Sequence, residues 1–310
     1  MATPNSPTST NDSIASSDIT AHIQRLFIYP VKSCGGIELT ESPLCEFGLD
    51  LDRAWMVVDA NGDFITQREY PRMALVTPKL KANELILRAP GMLALHVNID
   101  AVEAPAQVTV WNDTVSAYDM GNIAAQWFTD FLSLTDAGLP GANAPKFRMV
   151  RFDPDHKRLA NLTWTKGVEA MTQFADGFPM LVISQASLDA LNAKLIAAGQ
   201  AAVGIERFRP NIVIGGVDAH DEDRLTQLTI ATDEGPVALS LVKPCPRCPI
   251  PNIDPATAIS SPAVGDMLQT YRQDARVSGS ITFGMNAITL QSFDAMLRVG
   301  QAVAGCFAFE

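Results

Sequence analysis

Apolar positions in the first third of the chain fall in short runs. From Ile23 onward, "IQRLFIYPVKS", "AWMVVDANGDFITQ" and "NELILRA" are rich in β-branched and aromatic residues and are separated by turn residues, which predicts strands. Asn61-Gly62, between Val58 and Phe64, reads as a hairpin turn because both residues tolerate positive φ. The period then changes. In "NIAAQWFTDFLSL", Ile123, Trp127, Phe131 and Leu134 recur at helical spacing, so a helix with these four on one face should close the first unit. The turn-rich "TDAGLPGANAPKF" follows, and a boundary or long connection is expected near residues 135–146. In the second half, Ser187 can cap a helix over "LDALNAKLIAAG" that stops at Gly199. Strands are expected at "RPNIVIGG", "LTQLTIATD" and "VALSLVK". This is a β-rich α+β pattern, with no internal repeat.

The first eighteen residues, "MATPNSPTSTNDSIASSD", are polar and carry almost no large apolar side chain, so burial cannot offset their ordering entropy. Residues 1–20 are therefore expected to form a disordered tail, followed by a β-rich unit over 21–140 and a second over 141–310. At 310 residues, with 47% hydrophobic and 18% charged positions, the chain can bury a large core. The net charge of −11 disfavours nucleic acid or an anionic membrane as the main partner. Any anionic ligand must meet a local basic pocket. No apolar run approaches the ~20 residues that span a bilayer. The N-terminal stretch before His22 has no Lys or Arg and no apolar segment, so a cytoplasmic location is the default.

Candidate chemistry concentrates in "LVKPCPRCPIPNIDP", residues 241–255, which holds Cys245 and Cys248 among five prolines. A zinc knuckle would need two further ligands at comparable spacing. Cys34, Cys45 and Cys306 are scattered, and His22, His96, His156 and His220 form no pair with ligand spacing. A thioredoxin-like dithiol would need a helix N-terminus, and the prolines favour an extended segment instead. A single thiolate on a heavier metal, and two thiols that merely pack in a loop, both remain open.

Five separated motifs bear on the choice: "IYPVKSCGGIEL", "LDRAWMVVDANGDFITQREYPRMALV", "FPMLVISQASLDALN", "RFRPNIVIGG" and "KPCPRCPIPNIDP". In this order they resemble proteins in which an N-terminal MOSC β-barrel domain precedes a MOSC domain, the molybdenum enzyme family of the amidoxime-reducing components and their bacterial relatives. The resemblance covers residues 23–305. It implies an N-terminal β-barrel-like domain, a MOSC β-barrel domain with flanking helices, and one molybdenum cofactor (Mo-molybdopterin) between them. By resemblance, Cys248 is the thiolate ligand of molybdenum, and a soft anionic sulfur suits that metal. Cys245 is then supporting or structural. Arg247 could donate hydrogen bonds to the cofactor, and Lys32, Ser33, Arg53, Arg209 and Asn211 match positions that hold the pterin and its phosphate.

Each of these residues also has a plainer reading. Lys32 could be a solvated strand-end charge, Arg53 an edge residue snorkelling over apolar surface, and Arg247 an exposed loop residue. Arg209 is expected to be extended ahead of Pro210, with Asn211 at the mouth of a buried strand. Gly177-Phe178 departs from the family pattern, which often places small hydroxyl residues there. "PIPNIDP" is also richer in proline than usual, and no Cys-x4-Cys-x2-Cys ferredoxin spacing is present. The resemblance implies a reductase of N-hydroxylated compounds (amidoximes, hydroxylamines, N-hydroxylated bases) fed by a separate donor of flavin reductase, ferredoxin or cytochrome type. The alternative is a carrier of cofactor or sulfur, with Cys248 as a persulfide.

Overall fold

A computed structural model describes residues 17–101, 103–133, 145–291 and 294–308. Seven strands close on themselves: β1 (Ile19–Ile28), β2 (Met180–Ser184), β3 (Ile212–Gly215), β4 (Leu225–Thr232), β5 (Gly235–Pro246), β6 (Ser280–Gln291) and β7 (Ala302–Phe307). Their order around the barrel is β2-β3-β1-β7-β4-β5-β6, and β6 pairs back onto β2. Closure leaves these strands without a free edge. Ile23, Leu26, Leu228, Leu239 and Met285 from four of them belong to a common core. β2 and β3 run parallel, so they need a crossover, which passes through a helix.

Three helices flank the sheets: α1 (Gly121–Leu132), α2 (Gln185–Ala197) and α3 (Ala263–Gln269). The β-rich α+β class and the barrel agree with the sequence. α2 is that crossover, and Ser184, rather than Ser187, is its cap: the Ser184 side chain accepts from the Ser187 amide. Ser187 instead donates to the buried carboxylate of Glu222. The helix ends as expected, with Gly199 at φ +75° just beyond it. In α1, Trp127 and Phe131 face the core with Ala124 and Phe128, whereas Ile123 is 80% exposed. The buried stripe is rotated by one residue from the expected one, because the Trp127–Phe128 pair supplies its centre. Leu134 lies outside the described residues.

The remaining strands form smaller sheets. Trp55–Val58, Arg148–Phe152, Asp113–Asp119 and Ala104–Val110 make one of four strands. Thr77–Lys81, Glu84–Arg88 and Leu95–Asn98 make one of three. At Asn61-Gly62 only Gly62 has positive φ, and the expected hairpin is reduced to a single Val58–Phe64 bridge. The Asn61 amide turns to the Asp59 carboxylate at 2.8 Å instead. Pairing crosses the expected 140/141 boundary in both directions. β1 enters the barrel of C-terminal strands, and Arg148–Phe152 joins the sheet of the first half. Most of the connection expected at 135–146 lies outside the described residues.

Of the tail expected over 1–20, Ile19 and Thr20 belong instead to β1, and residues 1–16 lie outside the described residues. Asp18 is already held, its amide donating to Gly305 (2.9 Å) and its carboxylate accepting from the Phe307 amide (2.8 Å). Removing residues 1–18 should therefore lower Tm by a few degrees relative to removing 1–16, since two hydrogen bonds contribute ~0.5–1.5 kcal/mol each. Melting curves of the two truncations check this, and identical midpoints would show that the Asp18 contacts add nothing. Among the described residues, no helix is long and apolar enough to cross a membrane.

Candidate functional site

The proline-rich stretch ends β5. Its pairing with β6 slips between Leu241 and Lys243 and again between Pro244 and Pro246, as expected where proline cannot donate to the ladder. The segment is extended only through Pro246; after Cys248 it turns into the single 3-10 turn Ile250–Asn252, so neither thiol starts the α-helix that a thioredoxin-like dithiol needs. Among the described residues, no group of three or more His, Cys, Asp or Glu side chains is gathered where it could hold a metal ion. Both thiols are part-exposed and line a cleft, and Cys245 also packs against the core cluster that contains Phe208 and Phe283.

That cleft, with about 850 Å³ of empty space including its open mouth, is lined by all eight residues singled out in the sequence: Lys32, Ser33, Arg53, Arg209, Asn211, Cys245, Arg247 and Cys248. They come from segments more than 200 residues apart in the chain. Lys32 and Ser33 are each 5% exposed, so Lys32 is not a solvated strand-end charge. The Lys32 ammonium donates to the Asp176 carboxylate (2.6 Å) and the Phe174 carbonyl (2.7 Å). Arg53 is bound on three sides, donating to Asp52 (2.5 Å), Asn211 Oδ1 (3.2 Å) and the Arg209 carbonyl (3.1 Å). Asp52 in turn accepts from the Tyr29 amide at 2.8 Å, which ties this cation to β1's end.

Arg209 departs from its expected geometry. It adopts φ 58° and ψ 46°, left-handed rather than extended. Pro210 disfavours only the right-handed helix, and the chain leaves the short turn Ile205–Phe208 through the left-handed region, where Arg209 can reach two segments. Its Nη1 donates to the Cys34 carbonyl at 2.5 Å, and its guanidinium lies 4.2 Å from the Tyr29 ring centroid, with that of Arg53 at 4.4 Å. Burial, with Arg53 pushing the same way, brings the Arg209 pKa down to about 10. An entering anion would reverse both effects. Asn211 is committed to the fold: its side chain accepts from the Leu181 amide (3.1 Å) and donates to the Phe27 carbonyl (3.3 Å).

Arg247 is also inside the site. Its Nη1 donates to Cys245 Sγ at 3.1 Å and its Nη2 to the Phe208 carbonyl at 2.9 Å. Arg247 Nε and Arg209 Nη2 are buried without a hydrogen-bond partner. Buried donors are seldom left orphaned, so two on one cleft mark a place where an acceptor belongs.

Sequence reasoning missed Asp176, Thr66, Arg68 and Asn286, which line the same cleft. Arg68 sits within the quoted "ITQRE", so it was visible without being assigned. Asp176 carried no local signal, because its partner is 144 residues away. Trp111 donates to the same carboxylate at 3.2 Å from a turn position with φ 56°, strained for a bulky residue. The Asp176 side chain is 71% exposed, so the desolvation that opposes its ionisation is small, and the Lys32 ammonium and its hydrogen bond hold the carboxyl well below the usual range. A depressed carboxyl pKa stabilises the fold above the unfolded value and loses that contribution as pH falls. Asp176→Asn should thus lower Tm at neutral pH, by a margin that shrinks below about pH 4. Melting curves of both proteins from neutral to acid pH measure this; a pH-independent margin would rule out the charge of the pair as its source.

Residues 20–135 match the family model of the MOSC N-terminal beta barrel domain, and residues 170–304 that of the MOSC domain. The mitochondrial amidoxime reducing component 2 of Rattus norvegicus is 34% identical over 249 residues, 76% of this chain and 68% of that protein. Its Homo sapiens counterpart is 33% identical over 259 residues, 81% of this chain and 72% of that protein. The molybdenum cofactor sulfurase of Bos taurus is 27% identical over 92% of this chain but only 32% of its own length. The chain therefore belongs to the MOSC-domain family in which the mitochondrial amidoxime reducing components stand, with an N-terminal MOSC beta barrel domain followed by a MOSC domain.

Proposed function

We propose that this chain is a molybdenum-cofactor-dependent reductase of N-hydroxylated compounds, such as amidoximes, hydroxylamines and N-hydroxylated bases. The observation that carries the reading is one cleft, in a protein of net charge −11, that gathers two thiols with Lys32, Arg53, Arg68, Arg209 and Arg247. The donor set fits the cofactor. Arg209 Nη2 and Arg247 Nε are buried donors without acceptors, and a phosphate-bearing pterin is rich in acceptors. Arg209, Arg53, Lys32 and Ser33 would hold the phosphate and pterin, and Cys248 would give its thiolate to molybdenum. When bound, the group would supply two-electron removal of oxygen from the N–O bond, with two protons and two electrons consumed and water released.

The chain's own contribution is positioning. Arg247 spans Cys245 Sγ and the Phe208 carbonyl, so it fixes the geometry of the loop that carries Cys248. Tyr29 packs beside both guanidiniums and holds them at the cleft. A separate redox protein would deliver the electrons.

Elemental analysis of the purified protein, followed by benzamidoxime reduction with an artificial donor, tests the reading. Stoichiometric molybdenum with turnover supports it. The similarity to a molybdenum cofactor sulfurase favours a second reading, in which Cys248 carries sulfur as a persulfide. A carrier would pass cofactor or sulfur to an apo-enzyme and reduce nothing itself, and that result would replace the first reading.

A further inference from the structure

The cations at the cleft differ in what they hold. Lys32, Arg53 and Arg68 face the carboxylates of Asp176, Asp52 and Glu69, and Arg209 and Arg247 donate to backbone carbonyls. Lys243 differs from all five. Its Nζ has no carboxylate within ion-pair distance among the described residues and lies instead 5.2 Å from the ring centroid of Trp164 and 5.9 Å from that of Phe178. Phe178 lines the cleft, and so does Asn286, the residue paired in register with Lys243. Lys243 also stands two residues before Cys245 on the same strand, so it edges the thiol end of the cleft.

Two aromatic faces hold an ammonium in place without neutralising it. Among the described residues, no carboxylate is set against this half-buried charge. Beside it, the turn containing Trp164 exposes Leu162 (45%) and Val168 (38%), an apolar rim next to a fixed positive charge. An apolar rim, a ring lining the cleft and an unneutralised ammonium suit a ligand with an apolar or planar body and an oxyanion.

We propose that Lys243 is a specificity residue, selecting among N-hydroxylated compounds those that also carry an oxyanion, either carboxylate or phosphate. This rests on the reductase reading above. The test compares benzamidoxime with para-carboxybenzamidoxime, and N-hydroxycytidine with its monophosphate, in wild type, Lys243→Met and Lys243→Arg holoenzymes. Calorimetry of the matching products, benzamidine and para-carboxybenzamidine, reports binding apart from turnover.

One partly exposed charge pair is expected to give roughly fivefold to tenfold lower KM for the charged member, with kcat little changed. That preference should vanish in Lys243→Met, persist largely in Lys243→Arg and shrink at high salt. A preference confined to one pair assigns the oxyanion to carboxylates or to nucleotides. Absence of a preference in both pairs, or one that survives Lys243→Met, overturns the inference. If nothing is reduced but calorimetry shows a Lys243-dependent preference, the reductase reading fails and the oxyanion site stands.

Discussion

Cys248→Ser should abolish reductase activity while leaving the fold and melting temperature close to wild type. Cys248 is part-exposed at the end of β5, outside the barrel core, and its Sγ makes no hydrogen bond to a described residue. Replacing sulfur by oxygen at such a position changes stability by about 0.5 kcal/mol or less. The chemistry changes far more. A serine hydroxyl is a hard ligand that stays protonated near neutral pH, whereas the proposed role needs a soft anionic sulfur. Activity should fall by more than a hundredfold, the largest effect expected of any single substitution here.

Cys245→Ser should be milder. Cys245 Sγ accepts a hydrogen bond from Arg247 Nη1 at 3.1 Å, and a hydroxyl oxygen can accept the same bond. Both variants are to be assayed with benzamidoxime, with molybdenum content measured on the same samples. Equal losses in the two, with wild-type metal content in each, would show that Cys248 has no special role.

Arg209 carries the second large effect, and there charge and shape can be separated. Its Nη1 is taken by the Cys34 carbonyl while Nη2 is buried without a partner. If that free arm meets the cofactor phosphate, Arg209→Lys keeps the charge and loses the fork, and Arg209→Ala loses both. Cofactor retention should fall in that order. A charge-assisted hydrogen bond contributes roughly 1.5–3 kcal/mol, so the alanine variant should lose about tenfold to a hundredfold in cofactor affinity.

The apo-protein should still fold, because Arg53 binds the backbone carbonyl of Arg209 and not its side chain. The left-handed φ of 58° costs arginine, lysine and alanine alike on the order of 1 kcal/mol, so differences in cofactor content among the three read the side chain alone. Wild-type molybdenum content in both variants would move the phosphate away from Arg209.

The sequence alone determined what depends on neighbours along the chain. Pro244 and Pro246 kept the chain extended through Cys245 to the end of β5, whereas Pro249 and Pro251, expected to do the same, stand at the start of a short 3-10 helix over Ile250–Asn252, whose φ proline also fits. Gly199 stopped α2 because it accepts positive φ, and alternating or apolar runs marked β3, β4 and β5. The ordered motifs went further and marked eight residues, all of which line one cleft. Tertiary structure decided whatever depends on contacts far apart in the chain. Ser184 displaced Ser187 as the cap because Glu222 draws the Ser187 hydroxyl away. Arg209 turned left-handed because its partners, Cys34 and Tyr29, belong to the first forty residues. Asp176 entered the site through Lys32, and β1, while keeping a short pairing with the neighbouring Ile37–Leu39, fills the gap between β3 and β7. A strand's apolar pattern shows which face it buries but not which strand it pairs with, because pairing is settled only when barrel closure satisfies every backbone donor and acceptor at once.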